Sequence, residues 1–209
     1  MSIRHAILPV LFGLSLLLWA CDPTGPASGL VDGLPEAPNR EARYLFLLGT
    51  PGEQPTGPGQ ALADKGLLVV APKAGSEGIS RPVKVRHWIR ELLALGVPED
   101  RISVVGLRSG GADALEVSAM VKIGDMAFVL VEACALGNVQ QEEAFADLID
   151  VLGRSLRGRI LSLRAEEGVA SGSCASLFER APFAETWETE FTDEGWVKPL
   201  LDWVDGGVG

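Results

Sequence analysis

The sequence predicts an α/β domain: a mostly parallel sheet of about six strands with helices on both faces. Three observations predict it. Short apolar runs alternate along the chain with stretches of helical spacing, the pattern of repeated strand–crossover–strand units. The runs are apolar at successive positions rather than at every second one, as strands buried on both faces must be. Glycine or proline closes most of the elements, and both residues stop helices and strands.

Taken in order, Tyr44 to Leu48 is the first apolar run, ending at Gly49. Gly57 to Lys65 reads as a short helix with Gly66 as its stop, and Leu67 to Ala71 as a second strand closed by Pro72. Val83 to Leu95 carries Val85, Trp88, Ile89, Leu92 and Leu93 at helical spacing, and Gly96 ends it. Ile102 to Val105 is a third strand, followed by a helix over Ala112 to Lys122 and a fourth strand over Met126 to Val131. Gln140 to Leu156 is the longest amphipathic stretch, and Arg159 to Leu163 the fifth strand. Ser173 to Arg180 is a short helix, Glu185 to Phe191 a sixth strand, and Trp196 to Val204 the closing helix. In such sheets ligands bind beyond the carboxyl ends of the strands. Function is therefore sought at 49–52, 73–75, 106–111, 134–137, 166–172 and 192–196.

The segment before the domain reads as an address. Met1 to His5 carries one arginine, and Ala6 to Leu18 is apolar apart from Pro9. That run is shorter than the ~20 residues of a membrane span and fits the core of an export signal. Leu18, Trp19, Ala20 and Cys21 come next. They resemble the lipobox of bacterial lipoproteins, with Trp19 where a small residue is usual. The resemblance implies cleavage before Cys21 and a diacylglycerol on its thiol, with acyl chains such as palmitate. Residues 1–20 are then a signal peptide, and the protein is a membrane-anchored lipoprotein of the bacterial cell envelope. Asp22 resembles an inner-membrane retention signal of enteric bacteria, and the outer membrane and the cell surface remain open as sites. Asp22 to Arg40 has four prolines (23, 26, 35 and 38) and no apolar periodicity. Residues 21–42 are therefore expected to be the lipidated cysteine and a flexible tether, and residues 43–209 the folded domain.

Composition narrows the partners. The formal charge is −10, which argues against nucleic acid. A membrane contact through the lipid, an envelope protein partner or a small anionic ligand remains. No cofactor is indicated. No cysteine and histidine cluster has metal-ligand spacing, and Gly49-Thr50-Pro51-Gly52 lacks the lysine of a phosphate-binding P-loop. Trp88, Trp196 and Trp203 have apolar neighbours and read as core.

Pro98 to Leu115 reads PEDRISVVGLRSGGADAL. Strand, small residues around a sharp turn, then helix: this resembles the nucleophile elbow of α/β-hydrolases. Gly106 and Gly110 are then the flanking glycines and the centre is Arg108, whose guanidinium stays protonated and cannot be a nucleophile. The other register centres on Ser109, between Leu107 and Gly111. The resemblance places the acid of a catalytic triad at Glu166 or Glu167, and a Gly-His pair where this chain has Gly195-Trp196. Beyond the leader the chain has one histidine, His87, on the helix before the elbow. A serine hydrolase needs a histidine at the site to take the serine proton. The implied domain is a degenerate, non-catalytic hydrolase fold (a pseudoenzyme) serving as a binding or scaffold module. The alternative is a serine esterase or acyl hydrolase that uses Ser109 with an unorthodox base.

The resemblance also implies two backbone N–H groups facing one spot, at Ser109 and near Thr50, beside a helix start. With Arg108 added, Arg108, Ser109, Gly110 and Thr50 form a candidate anion site. The simpler expectation is an internal ion pair of Arg108 with Glu132, Glu166 or Glu167. Cys134 and Cys174 follow the fourth and fifth strands near one edge of the sheet, and in an oxidising envelope they are expected to form a disulfide, free thiols being the alternative.

Overall fold

A computed structural model of the chain describes residues 25–73, 78–134, 139–165, 174–191 and 195–206. Cys21, Glu166 and Glu167 lie outside the described residues, as does the leader. The strands are β1 (Gly29–Val31), β2 (Tyr44–Leu48), β3 (Leu68–Val70), β4 (Ile102–Leu107), β5 (Ala127–Val131), β6 (Arg159–Ala165) and β7 (Glu185–Phe191). They form one sheet in the order β1-β3-β2-β4-β5-β6-β7, with every neighbouring pair parallel. The helices are α1 (Thr56–Ala63), α2 (Arg81–Ala94), α3 (Gly110–Val121), α4 (Val139–Leu152), α5 (Ala175–Arg180) and α6 (Val197–Val204).

The helices divide between two faces, and the strands explain how. Along β2, Tyr44, Phe46 and Leu48 point to one core, while Leu45 and Leu47 point to the other. That two-residue alternation is the pleat of the strand, with both faces apolar because both are covered. The first core takes Val85, Ile89 and Leu92 of α2, Leu115 of α3, Phe145 and Ile149 of α4 and Leu177 of α5. The second takes Leu62 of α1 and Leu200, Trp203 and Val204 of α6. All five residues of β2 and all five of β5 are buried. The outer strand β7 alternates between exposed and half-buried, as an edge strand with one open face does.

The structure corrects the expected tether. Gly29–Val31 is a strand on the sheet edge, paired with Leu68–Val70 in parallel. Asn39 is buried and accepts the Tyr44 hydroxyl on its carbonyl oxygen at 3.1 Å. The folded domain thus starts well before residue 43. Three residues with glycine at one end are too few to show a period, so the strand left no trace in the apolar pattern.

Candidate functional site

Register builds the site. Leu48 of β2 pairs with Gly106 of β4, and Gly106 with Leu130 of β5. One residue further, Leu107 pairs with Val131. The next residues, Arg108 and Glu132, therefore emerge side by side at the carboxyl edge. Each continues the ladder by one bond: Arg108 N–H donates to Val131 O at 2.8 Å, and Glu132 N–H to Leu163 O at 2.8 Å. Both then turn through the left-handed region, with φ of 51° at Arg108 and 52° at Glu132. The Arg108 Nε donates to Glu132 Oε2 at 3.3 Å. Of the three acids expected to meet Arg108, Glu132 is the one the described residues supply. The Arg108 side chain remains 72% exposed, so the pair is a weak one.

Arg108 is the apex of the turn. Ser109 is already helical, at φ −61° and ψ −19°, and caps α3. Its hydroxyl oxygen is buried, with no hydrogen-bond partner among the described residues. The glycines around the apex are demanded by packing. A Cβ on Gly106 would lie 2.5 Å from the Gly110 carbonyl oxygen, one on Gly110 would overlap the Leu48 carbonyl, and one on Gly111 would overlap Ala133. Strand β4, helix α3 and the end of β2 cross too closely for side chains there.

A cavity of about 320 Å³ opens above the apex. Its floor is Leu107, Arg108, Val131 and Glu132; its walls are Gly49 and Thr50, the Glu53-to-Pro58 segment and Trp196. Thr50, Arg108 and Trp196 are thus brought together. Gly195 turns at φ +88° and Trp196 caps α6, packing against the second core while one part of it faces the cavity. Trp196 is a wall of the site as well as a core residue, a departure from its sequence reading; Trp203 is buried as expected and Trp88 stacks on Phe46. His87 is exposed on α2.

One pair at the site escaped the sequence reading. Arg81, in the first turn of α2, is 8% exposed. Its Nη1 donates to Gly49 O at 2.9 Å, and its Nη2 meets Asp113 Oδ2 at 2.5 Å as an ion pair without an aligned hydrogen bond. Asp113 lies in the first turn of α3. The pair therefore ties α2, the loop after β2 and the helix after the apex together beneath the cavity. Burial pushes the Asp113 carboxyl above the ordinary carboxylate range, and Arg81 only partly offsets this. The only local signal is partial: an arginine at a helix start opposes the helix dipole and calls for an acidic partner, without saying which.

Cys134 and Cys174 form a disulfide with Cα atoms 5.6 Å apart, joining the chain just after β5 to the start of α5. The Cys174 N–H donates to Glu188 Oε2 at 2.8 Å. Among the described residues no helix is long and apolar enough to cross a membrane.

A parallel sheet whose central strand ends in a glycine-packed left-handed turn, opening into a helix beneath a strand-end cavity, is an α/β-hydrolase-like fold. The chain matches no protein-family model and no curated protein sequence. Among solved structures it is similar to a monoacylglycerol lipase of Paleococcus ferrophilus, at TM-score 0.55 and 12% identity over 79% of this chain and 95% of that one. It is similar to the esterase RhEst1 from Rhodococcus sp. ECU1013, at TM-score 0.52 and 14% identity over 81% of this chain and 93% of that one. It is also similar to SOBER1 of Arabidopsis thaliana, at TM-score 0.51 and 13% identity over 79% of this chain and 99% of that one. At such identities the likeness is one of fold.

Proposed function

We propose that this protein is a non-catalytic binding module, a degenerate hydrolase fold whose strand-end cavity holds a small anion. The observation that carries the reading is the side chain at the apex: Arg108, in left-handed backbone, on the floor of the cavity. A permanent cation at that point binds; it does not attack a carbonyl. Trp196 on the wall supports the same reading, because a base within hydrogen-bond reach is what a serine nucleophile requires. Ser109 begins a helix with its hydroxyl buried and meets no histidine among the described residues.

Calorimetric titration with simple carboxylates tests the reading, comparing wild type with Arg108→Ala. Binding that vanishes in the variant is expected; binding that ignores Arg108 sinks the proposal. The competing reading, an ester hydrolase using Ser109, is supported equally by the fold of the neighbours. It requires labelling by a fluorophosphonate probe and cleavage of short activated esters, both lost in Ser109→Ala. We expect neither activity.

The proposal includes location. A lipid on Cys21 holds the module at the envelope membrane, four residues before Gly25, whose carbonyl oxygen accepts from Asn39 Nδ2 at 3.4 Å. Four residue steps at ~3.6 Å each give a reach of at most about 14 Å. The domain then sits close against the bilayer rather than at the end of a long tether.

A further inference from the structure

The cavity carries both signs of charge, and that narrows its ligand beyond the anion proposed above, on which this inference rests. Arg108 supplies a cation to the lining, while Glu53 and Glu132 supply two carboxylates. Helices α1 and α6 begin at the wall, with Thr56 and Gly57 in the first turn of one and Trp196 capping the other, and α3 begins one residue past Ser109. Each helix start adds about half a positive charge. A dianion such as phosphate would bring its charge against Glu53 and Glu132. A simple cation would meet Arg108 and the helix starts. A ligand with one charge of each sign, held close together, meets neither penalty.

We infer that the cavity takes a zwitterionic α-amino acid with an apolar or aromatic side chain. Its carboxylate would lie at Arg108 and Thr50, and its ammonium at Glu132. Its side chain would rest on Trp196, Pro55 and Val131. Three features of the molecule favour this. Arg108 Nε and Glu132 Oε2 stand 3.3 Å apart, so the two heads can face an ammonium and a carboxylate carried on a single carbon. The existing contact runs through Nε at 3.3 Å and is exposed, so a ligand can replace it with two ion pairs. About 320 Å³ is the space of roughly ten waters, suited to one amino acid rather than a protein segment.

Calorimetry on the mature chain, with three probes, tests it. L-phenylalanine carries both charges, N-acetyl-L-phenylalanine only the carboxylate, and L-phenylalaninamide only the ammonium. Phenylalanine is expected to bind at least ten-fold tighter than either derivative. Glu132→Gln is expected to reduce phenylalanine to the level of the N-acetyl form, and Arg108→Ala to the level of the amide. Thermal melts of both variants check that they fold, and the wild-type probe series stands without them. If N-acetyl-phenylalanine binds as tightly as phenylalanine and needs Arg108, the zwitterion is overturned and the anion reading survives. If no probe shows Arg108-dependent binding, both are overturned.

Discussion

Removing Arg81 is the sharpest test of how the site is held. In Arg81→Met the part-buried Asp113 carboxylate loses its counter-charge and the Gly49 carbonyl loses a charged donor. Leaving one partner of a buried ion pair uncompensated costs about 3–5 kcal/mol, and a hydrogen bond from a charged group is worth about 1.5–3 kcal/mol. The two losses overlap, so the expected deficit at pH 8 is about 3–5 kcal/mol. Asp113 has an escape, because its carboxyl already sits above the usual range through burial. Without Arg81 it rises further. A carboxyl whose folded value is raised favours the folded state when protonated, so its penalty is present above the folded value and fades as pH falls through it towards 3.8. The deficit of Arg81→Met should therefore shrink at pH 4.5 towards the Gly49 hydrogen bond alone, about 1.5–3 kcal/mol. Urea denaturation followed by tryptophan fluorescence at the two pH values measures it. The double variant Arg81→Met/Asp113→Leu removes both charges and should recover the Asp113 part of the loss, leaving the Gly49 hydrogen bond, since desolvation outweighs the pairing at Asp113. A deficit below about 1 kcal/mol that does not change with pH would refute the reasoning.

Two further outcomes are expected. Replacing both Cys134 and Cys174 with serine opens a loop of sequence separation 40, worth about 4 kcal/mol by chain entropy, and should lower the urea midpoint accordingly; free thiols in mass spectra of protein from the envelope would contradict the bond itself. Arg108→Gly and Glu132→Gly each relieve a left-handed residue, worth about 1–2 kcal/mol, against an exposed ion pair worth about 1 kcal/mol or less. Each should leave the urea midpoint unchanged or raised while weakening the proposed ligand binding, and a clear fall in the midpoint would show that the turns are not strained.

Most of the architecture was legible because strands buried on both faces advertise themselves. β2 and β5 lie where the apolar runs put them, to within a residue. β4 runs two residues past the expected Ile102–Val105, to Leu107, because Gly106 serves the crossing with α3 rather than a turn. β1 was hidden by its brevity, and it makes seven strands where about six were expected. At the site, Arg108, Thr50 and Trp196 could be placed from the elbow pattern, since spacing along the chain fixes the residues at each strand's carboxyl end. The Arg81–Asp113 pair could not, because its members lie on separate helices whose spatial neighbourhood no local pattern encodes. Glu132 could be named as an acid near Arg108, but its left-handed backbone could not be read from its residue type.

That backbone bears on function. Three non-glycine residues among those described have positive φ: Arg108, Lys122 and Glu132. Lys122 is the left-handed cap of α3, an ordinary way to end a helix. Arg108 and Glu132 cap no helix; each turns the chain at the carboxyl end of its strand. They occupy equivalent positions on adjacent strands and touch across the floor of the cavity. The chain has 25 glycines, and at Gly106, Gly110 and Gly111 it uses them where close packing excludes a Cβ. Glycine would fit the left-handed turns at 108 and 132 without strain. The fold gains little from the charged residues there, because their mutual pairing is exposed and weak. On the proposed reading, strain at a cavity that stability does not require marks side chains retained for what they bind. A matched cation and anion, both held in strained backbone, support the binding role proposed above for the cavity.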